Sequence, residues 1–306
     1  MSTDRSNPSL AYTLPFQLTK KIHRDVPPEL SPGNPDISAK GKIIVITGGG
    51  SGIGAAAAKV WVQAGAEGVV IAGRRREALE RVAAEIAGLS QGKTKILEVQ
   101  TDITKEDDTN ALFDQVKKTF GRTADVVLSN AGAPSPSVKP HEYPVSKWWQ
   151  VQEVNFLGLH NMAMSFIKSQ PNPNEPVGTF VSVNSAMAGM ILPGYSTYSI
   201  SKLAGQRYTE YLQVEYPTLR IFSLLPGIAI TEMTDPAFFD FAQDKPEQTG
   251  ALALFLATPR ADYLKGGLTS INWDLQEMEE HKKEIEDGLL KIKWHPILPA
   301  SGGSGF

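Results

Sequence analysis

Two side chains four residues apart, Tyr198 and Lys202 in the stretch "GYSTYSISKLAG", have the types and spacing for proton chemistry. On a helix, positions i and i+4 share a face, so a phenol and an ammonium there can address one point in space. A phenol with a reference pKa near 10 must fall to about 7, a change worth about 4 kcal/mol, before it exchanges protons readily near neutrality. One ammonium about 4 Å away, at an effective dielectric near 20, supplies about that much. Tyr195 serves as an internal control, because four residues after it stands Ser199, which brings no charge. Tyr195 is therefore read as shaping a pocket. The Tyr-x-x-x-Lys spacing also arises by accident, so its weight comes from its neighbours. Upstream, at the end of the apolar run "GTFVSV", comes Ser185, and earlier still Asn155 lies in "VNFLG" on a long helical stretch. A hydroxyl at the end of a parallel strand faces the ligand crevice and could hydrogen-bond a substrate oxygen. The Asn155 amide could bond a backbone carbonyl and hold water near Lys202.

Positioning these groups requires a sheet. "KIIVIT" (Lys42 to Thr47) is a short β-branched run that meets glycines and passes into the alanine-rich helical "AAAAKVWVQAGA". "GVVIA", "KILEVQ", "ADVVLS", "GTFVSV", "LRIFSLL" and "LTSIN" repeat the strand pattern, with helical segments between them, including one near Gln248 to Ala257. Apolar strands separated by helices predict a parallel sheet covered on both faces, since parallel neighbours need crossover connections. The expectation is an α/β fold: a single doubly wound Rossmann domain of about seven parallel strands over residues 41–274. A polar, proline-rich arm (residues 1–40) precedes it. After it, "DLQEMEEHKKEIEDGLLKIKW" predicts a docking helix, and "SGGSGF" a flexible tail, within residues 275–306.

The loop "TGGGSGIG", Thr47 to Gly54, sits between a strand and a helix with glycines at 48, 52 and 54. In that context the glycines allow a tight turn and let the backbone approach a pyrophosphate at the helix N-terminus. A mononucleotide phosphate loop is excluded by residue identity, because Ala55 and Ala56 stand where lysine and serine or threonine are needed. At the end of the second strand, "VVIAGRRRE" places Gly73 and Arg74 where a carboxylate would bind a free ribose 2′-hydroxyl. The guanidinium of Arg74 suits a 2′-phosphate, so the expected cofactor is NADP(H). Arg75 and Arg76 are read either as further phosphate contacts or as the solvated start of a helix.

Taken in order, these motifs resemble the short-chain dehydrogenase/reductase family. The glycine motif is present as Thr47-Gly48-x-x-x-Gly52-x-Gly54, the adenine-contacting acid as Asp102 in "TDIT", and the fourth-strand motif as "SNAG", Ser129 to Gly132. The family's catalytic tetrad maps onto Asn155, Ser185, Tyr198 and Lys202, and its nicotinamide-side segment onto Pro226, Gly227 and Thr231. The resemblance implies hydride transfer between nicotinamide and a carbonyl or alcohol carbon, with Tyr198 as general acid/base. Ser185 would polarise the oxygen, Lys202 would hold the ribose and lower the phenol pKa, and Asn155 would support a proton-relay water. Alongside the residues already named, Ser51, Ile53, Ile103, Asn130, Ala131 and Gly132 are expected at the cofactor. Ser129 and Asn184 depart from the family's usual asparagine and serine. The arm and the "LTSINWD" ending look similar to fungal members associated with secondary metabolism. A homodimer or homotetramer is expected, although the extensions bear on the family's usual tetramer.

Thirty basic and 33 acidic side chains leave a net charge of −3 on 306 residues, with no basic run beyond Arg74-Arg75-Arg76, so no nucleic-acid partner is expected. The absence of cysteine excludes thiolate sites and fits a reducing compartment. The N-terminus lacks a signal-like apolar region and no run approaches a membrane span, so a soluble, cytoplasmic protein without membrane contact is expected. The histidines show no metal-binding spacing, and no metal is expected. Met233, Phe238, Phe239 and Phe241 in "TEMTDPAFFDFAQ", with Met187, Met190, Ile191 and Tyr195, would line a pocket for a hydrophobic small molecule, with Pro134 to Pro144 as a further rim. Imine reduction, a cofactor-assisted isomerisation or cyclisation, and a non-enzymatic dinucleotide sensor are the alternatives.

Overall fold

The β-branched runs form the strands of one sheet in a computed structural model that describes residues 7–293. The strands are β1 (Ile43–Thr47), β2 (Gly68–Gly73), β3 (Lys95–Gln100), β4 (Val126–Ser129), β5 (Thr179–Val183), β6 (Arg220–Leu225) and β7 (Leu268–Ser270). All are parallel, in the order β3-β2-β1-β4-β5-β6-β7. The expected doubly wound α/β fold is therefore the observed one, and the chain order reverses between β1 and β4. β1 is buried along its whole length, which is why it reads as continuous Ile and Val without alternation. The edge strand β3 exposes Lys95, Glu98 and Gln100, charges and amides that blunt a free edge.

Helices α1 (Gly52–Gln63), α2 (Arg76–Ser90), α3 (Glu106–Phe120), α4 (Val145–Gln152), α5 (Gly158–Lys168), α6 (Ser196–Glu215) and α7 (Glu247–Leu256) cover both faces. One core packs Trp61 and Phe255 with Ile44, Ile46 and Phe222; the other packs Phe113, Phe166 and Phe180 with Ile43 and Val45. Burying side chains of this size contributes about 1.5–3 kcal/mol each. α3 carries Glu106, Asp107 and Asp108 in its first turn and Lys117 and Lys118 in its last, which complements the helix dipole.

Two expectations are corrected. The single long helix containing "VNFLG" is interrupted: α4 passes through a π-helical turn, Glu153–Leu157, before α5 begins. The predicted docking helix after Trp273 is two short pieces, α8 (Leu275–Glu280) and α9 (Lys282–Glu286), which bury Leu275, Met278 and Ile285. The expected flexible tail "SGGSGF" lies outside the described residues, as does the Trp294 end of the predicted helix.

The arm is fastened along the body. Its prolines start or enter four short 3-10 turns, Pro8–Leu10, Leu14–Phe16, Pro28–Leu30 and Pro35–Ile37. Pro suits the first position because its missing N–H would be unpaired there anyway. Leu30, Ile37 and Ala39 enter the core beside α1 and α7. Ile22 bridges Trp273, the Trp273 indole N–H donates to the Phe16 carbonyl at 2.7 Å, and the Glu277 carboxylate accepts the backbone N–H groups of Lys20 and Lys21.

Candidate active site

Thr47, at the end of β1, ties the two strands that flank the switch point. Its hydroxyl accepts the backbone N–H of Asn130 and of Ala131, each at 3.0 Å, and its carbonyl accepts the Asn130 amide at 2.9 Å. The glycine loop then turns with Gly48 at φ +68° and Gly52 at φ +50°, a region that L side chains rarely occupy. A Cβ on Gly54 would run into the Gly48 carbonyl, and one on Gly52 would lie 3.2 Å from the Thr231 methyl. Gly132 faces inward, since a Cβ there would sit 3.2 Å from Asn155 Oδ1 and 3.7 Å from Lys202 Nζ. This glycine-lined cradle at the carboxyl ends of the strands fits a dinucleotide.

Arg74 lies exposed at the end of β2. Burial raises the Asp102 carboxyl, but hydrogen bonds from Thr104 (2.8 Å and 3.0 Å) and the nearby cations of Arg74 and Lys105 outweigh it and hold Asp102 below the usual carboxylate range. The Ile103 side chain is buried against Gly158, and its carbonyl accepts the Asn161 amide at 2.9 Å. Arg75 reaches across the loop: its guanidinium donates to Ser51 Oγ at 2.9 Å and to Glu232 at 2.8 Å. The sequence carried no signal for that bridge, because Ser51, Arg75 and Glu232 are distant in the chain. Arg76 pairs with Glu80 one turn on, as a solvated helix start does.

Ser185, Tyr198 and Lys202 line one cavity of about 260 Å³ together with Ile53, Asn130, Gly132, Pro226, Gly227 and Thr231. Ser185 follows β5, its backbone N–H donates to the Asn184 side chain at 2.8 Å, and its hydroxyl hydrogen-bonds the Tyr198 phenol. Lys202 is buried, donates to the Val183 carbonyl at 3.0 Å, and lies 5.7 Å from the centre of the Tyr198 ring. Burial pushes the lysine down to about 8. The expected depression of the phenol by Lys202 is not found. Tyr198 keeps some surface open to the cavity but lies deep enough that desolvation raises its pKa, with the Ser185 hydrogen bond acting in the opposite direction. Tyr195 has an acidic partner instead of a lysine: its hydroxyl donates to Asp235 at 3.0 Å, and burial and that carboxylate both raise its pKa.

Asn155 occupies the π-helical turn, where the extra residue per turn rotates its amide away from the regular helix face. Its Oδ1 accepts the Ala133 N–H at 2.7 Å, while its amide donates to the Ala133 carbonyl and to Ser201 Oγ, each at 3.0 Å. Beside it a void of about 10 Å³ is lined by Asn155, Lys202, Asn184 and Ser129. That is about the room one water needs, among several polar groups.

The outer half of the cavity is apolar. Met187, Met190, Tyr195, Met233 and Phe238 line it as expected, with Pro134 from the predicted rim. Two expected wall residues do not: Ile191 is fully exposed at 101 %, and Phe239 is 45 % exposed and turned out of the wall. Phe241 packs against Tyr12 instead of facing the cavity. The arm supplies wall residues that sequence reading missed, Tyr12, Thr13, Phe16, Gln17 and Ile22. Their signal was the recurrence of large apolar residues in a segment with no core of its own. His23, Glu29 and Asp274 bring three potential metal ligands together, but Asp274 is engaged by His23 at 3.1 Å and Lys21 at 3.5 Å as an ion-pair cluster fastening the arm. Among the described residues no helix is long and apolar enough to cross a membrane.

Comparison with known proteins places this geometry among relatives. Residues 42–240 match the family model described as short chain dehydrogenase. The chain is 30 % identical over 290 residues to the short chain dehydrogenase mpl6 of Monascus purpureus, spanning 91 % of this chain and 96 % of that one. It is 28 % identical over 297 residues to the short chain dehydrogenase tazN of Aspergillus terreus, spanning 94 % of this chain but 64 % of that longer protein. Among solved structures, an NADPH-dependent 3-quinuclidinone reductase from Rhodotorula rubra is similar at 26 % identity and a TM-score of 0.69, covering 80 % of this chain and 93 % of that one. A 3-ketoacyl-(acyl-carrier-protein) reductase from Brucella melitensis complexed with NADH is similar at 27 % identity and a TM-score of 0.69, covering 77 % and 98 %. With its parallel sheet, glycine-lined cradle and the match over most of its length, the chain belongs to the short chain dehydrogenase family of oxidoreductases.

Proposed function

We propose that this protein is an NADPH-dependent carbonyl reductase of hydrophobic small molecules, with Tyr198 as general acid. The observation that carries the reading is the convergence of Ser185, Tyr198 and Lys202 on one cavity whose outer half is apolar. Bound in the glycine-lined crevice, a reduced nicotinamide supplies the hydride. The chain does the rest. Ser185 donates a hydrogen bond to the substrate carbonyl oxygen, and Tyr198 gives that oxygen its proton as the alcohol forms. A phenol raised by burial is protonated at neutral pH, which suits donation and hence the reductive direction. Lys202, anchored on the Val183 carbonyl, holds positive charge at the inner end of the cavity, and the small void beside Asn155 can seat the water that returns a proton.

The preference for NADP(H) is supported by the exposed guanidinium of Arg74 at the end of β2, with Arg75 beside it engaged by Ser51 and Glu232. The known structures include both an NADPH-dependent reductase and an NADH complex, so the preference rests on these residues. Trp149, Phe156, Leu157, Ile200, Leu203 and Tyr211, exposed on the neighbouring α4–α5 and α6 segments, support self-association through that face into a homodimer, to be checked by light scattering.

The test is NADPH consumption with a panel of ketones by the parent protein, Tyr198→Phe and Arg74→Ser. Tyr198→Phe is expected to lower kcat by about 10²–10⁴ while still binding NADPH. Arg74→Ser is expected to weaken NADPH binding at least tenfold and to leave NADH binding little changed. Full turnover by Tyr198→Phe would exclude its role as the proton donor, and NADH binding as tightly as NADPH in the parent would overturn the cofactor assignment.

A further inference from the structure

The cavity has a wall that no part of the common fold supplies. Tyr12 meets Phe238 edge-on, with ring centres 5.1 Å apart and planes at 74°, and meets Phe241 at 4.7 Å and 87°. Phe238 in turn meets Tyr195 at 5.8 Å and 60°, so an aromatic chain runs from the arm to the start of α6, the helix that carries Tyr198. On the other side Phe16 lies against the Ala186–Ala188 turn that follows Ser185: a Cβ added to Gly189 would be 3.3 Å from its ring. The position of Phe16 is fixed from the body by the Trp273 indole bond to its carbonyl. Arg24 then locks the arm to the buried Asp244 at 3.0 Å, and Asp244 also accepts the N–H of Ile228, next to Gly227 on the nicotinamide-side turn.

We infer that the arm builds a substrate subsite, in which Tyr12 and Phe16, closing against the Pro236–Phe241 turn and the loop after Ser185, form a slot for a flat, neutral aromatic ring carried by the carbonyl substrate. The inference rests on the carbonyl-reductase reading of the same cavity. Offset and edge-to-face contacts favour planar partners over saturated ones of equal bulk. Met187, Met190 and Met233 supply adaptable contact around the ring. Asp235, on the same wall and bonded to Tyr195, disfavours a ring that carries an anionic group.

The test uses the full-length chain with NADPH and two ketones, 2-tetralone and cyclohexanone, and compares the ratio of their kcat/KM values. Tyr12→Ala should lower the tetralone-to-cyclohexanone ratio about tenfold, mainly through the KM for tetralone, and Phe16→Ala should act in the same direction. Tyr12→Phe, which keeps the ring, should restore the ratio, whereas Tyr12→Leu, which keeps bulk without the ring, should not. A ratio unchanged by Tyr12→Ala, or lowered as much by Tyr12→Phe, would overturn the slot. Calorimetric binding of 2-tetralone separates the two readings. If the parent consumes no NADPH with any ketone, the reductase reading fails, yet tetralone binding weakened in Tyr12→Ala and kept in Tyr12→Phe still upholds the slot. Equal tetralone binding by parent and Tyr12→Ala rejects it.

Discussion

Lys202 should be a stability liability in the cofactor-free protein, and Lys202→Met should expose it. The side chain is 7 % exposed, and burial alone takes its pKa from 10.5 to about 8. At pH 7 the lysine is charged whether the chain is folded or unfolded, so the folded state carries the full desolvation cost, roughly 3 kcal/mol at about 1.4 kcal/mol per pKa unit. Between about pH 8 and pH 10.5 the unfolded chain keeps a proton that the folded chain has released. Stability therefore rises with pH across that window, and the cost is complete below it and gone above it. Methionine removes the charge at similar length but gives up the bond to the Val183 carbonyl, about 2 kcal/mol while the lysine is charged and about 1 kcal/mol once it is neutral. The net expectation is a gain of about 1 kcal/mol at pH 7, or a rise in Tm of about 2 °C for a chain of this size. By pH 9.5 the parent's cost has fallen to roughly 1 kcal/mol, and the two proteins should unfold together. Thermal unfolding of both at pH 7 and 9.5, without cofactor and at one scan rate, measures the difference. A variant less stable than the parent at pH 7, or a gap that does not narrow with pH, would refute the reasoning. On the reductase reading the variant also loses turnover, a trade of function for stability.

Two further substitutions test the cradle and the arm. Gly54→Ala places a methyl against the Gly48 carbonyl and 2.8 Å from the Asn130 amide, so the loop must open; NADPH affinity by fluorescence titration should fall at least tenfold with the far-UV circular dichroism unchanged. Arg24→Met leaves the Asp244 carboxylate, whose side chain is 0 % exposed, without its cation, at a cost of about 3 kcal/mol that should appear as a Tm lowered by about 5 °C. Adding Asp244→Asn to that variant should recover much of the loss, and failure to recover would show that the arm is held by something other than this pair.

The sheet was legible because its central strands are buried on both faces: "KIIVIT" and "ADVVLS" carry β-branched runs that suit no exposed element, and glycines follow "KIIVIT" where the backbone must turn. The glycine loop was legible because the need for positive φ at Gly48 and Gly52 leaves almost no other residue type. The inner site was legible because Tyr198 and Lys202 lie on one helix, where spacing fixes geometry. Features that depend on tertiary contact were not. The π turn at Asn155 has no pattern that separates it from the α-helix around it. The bridge from Arg75 to Glu232 joins two charges 157 positions apart. The proline-rich arm showed no periodicity because its turns are short 3-10 pieces, three of which bury a single side chain each, Leu10, Leu30 and Ile37.

The direction of the Tyr198 shift also escaped the sequence, and its cause is burial. From spacing, one takes an ammonium close to a phenol and finds attraction enough to ionise it. In the fold the ammonium points to the Val183 carbonyl and lies 5.7 Å from the ring centre, while both groups share one dehydrated pocket. Dehydration penalises the charged form of each, so the same burial drives phenol and lysine toward neutrality from opposite sides. The cavity that both groups line is walled in part by Tyr12, Phe16 and Ile22 from the arm. Substitutions that open the arm should lower the phenol pKa and raise that of the lysine, whereas a change that only removes the Ser185 hydroxyl should raise the phenol and leave the lysine where burial puts it.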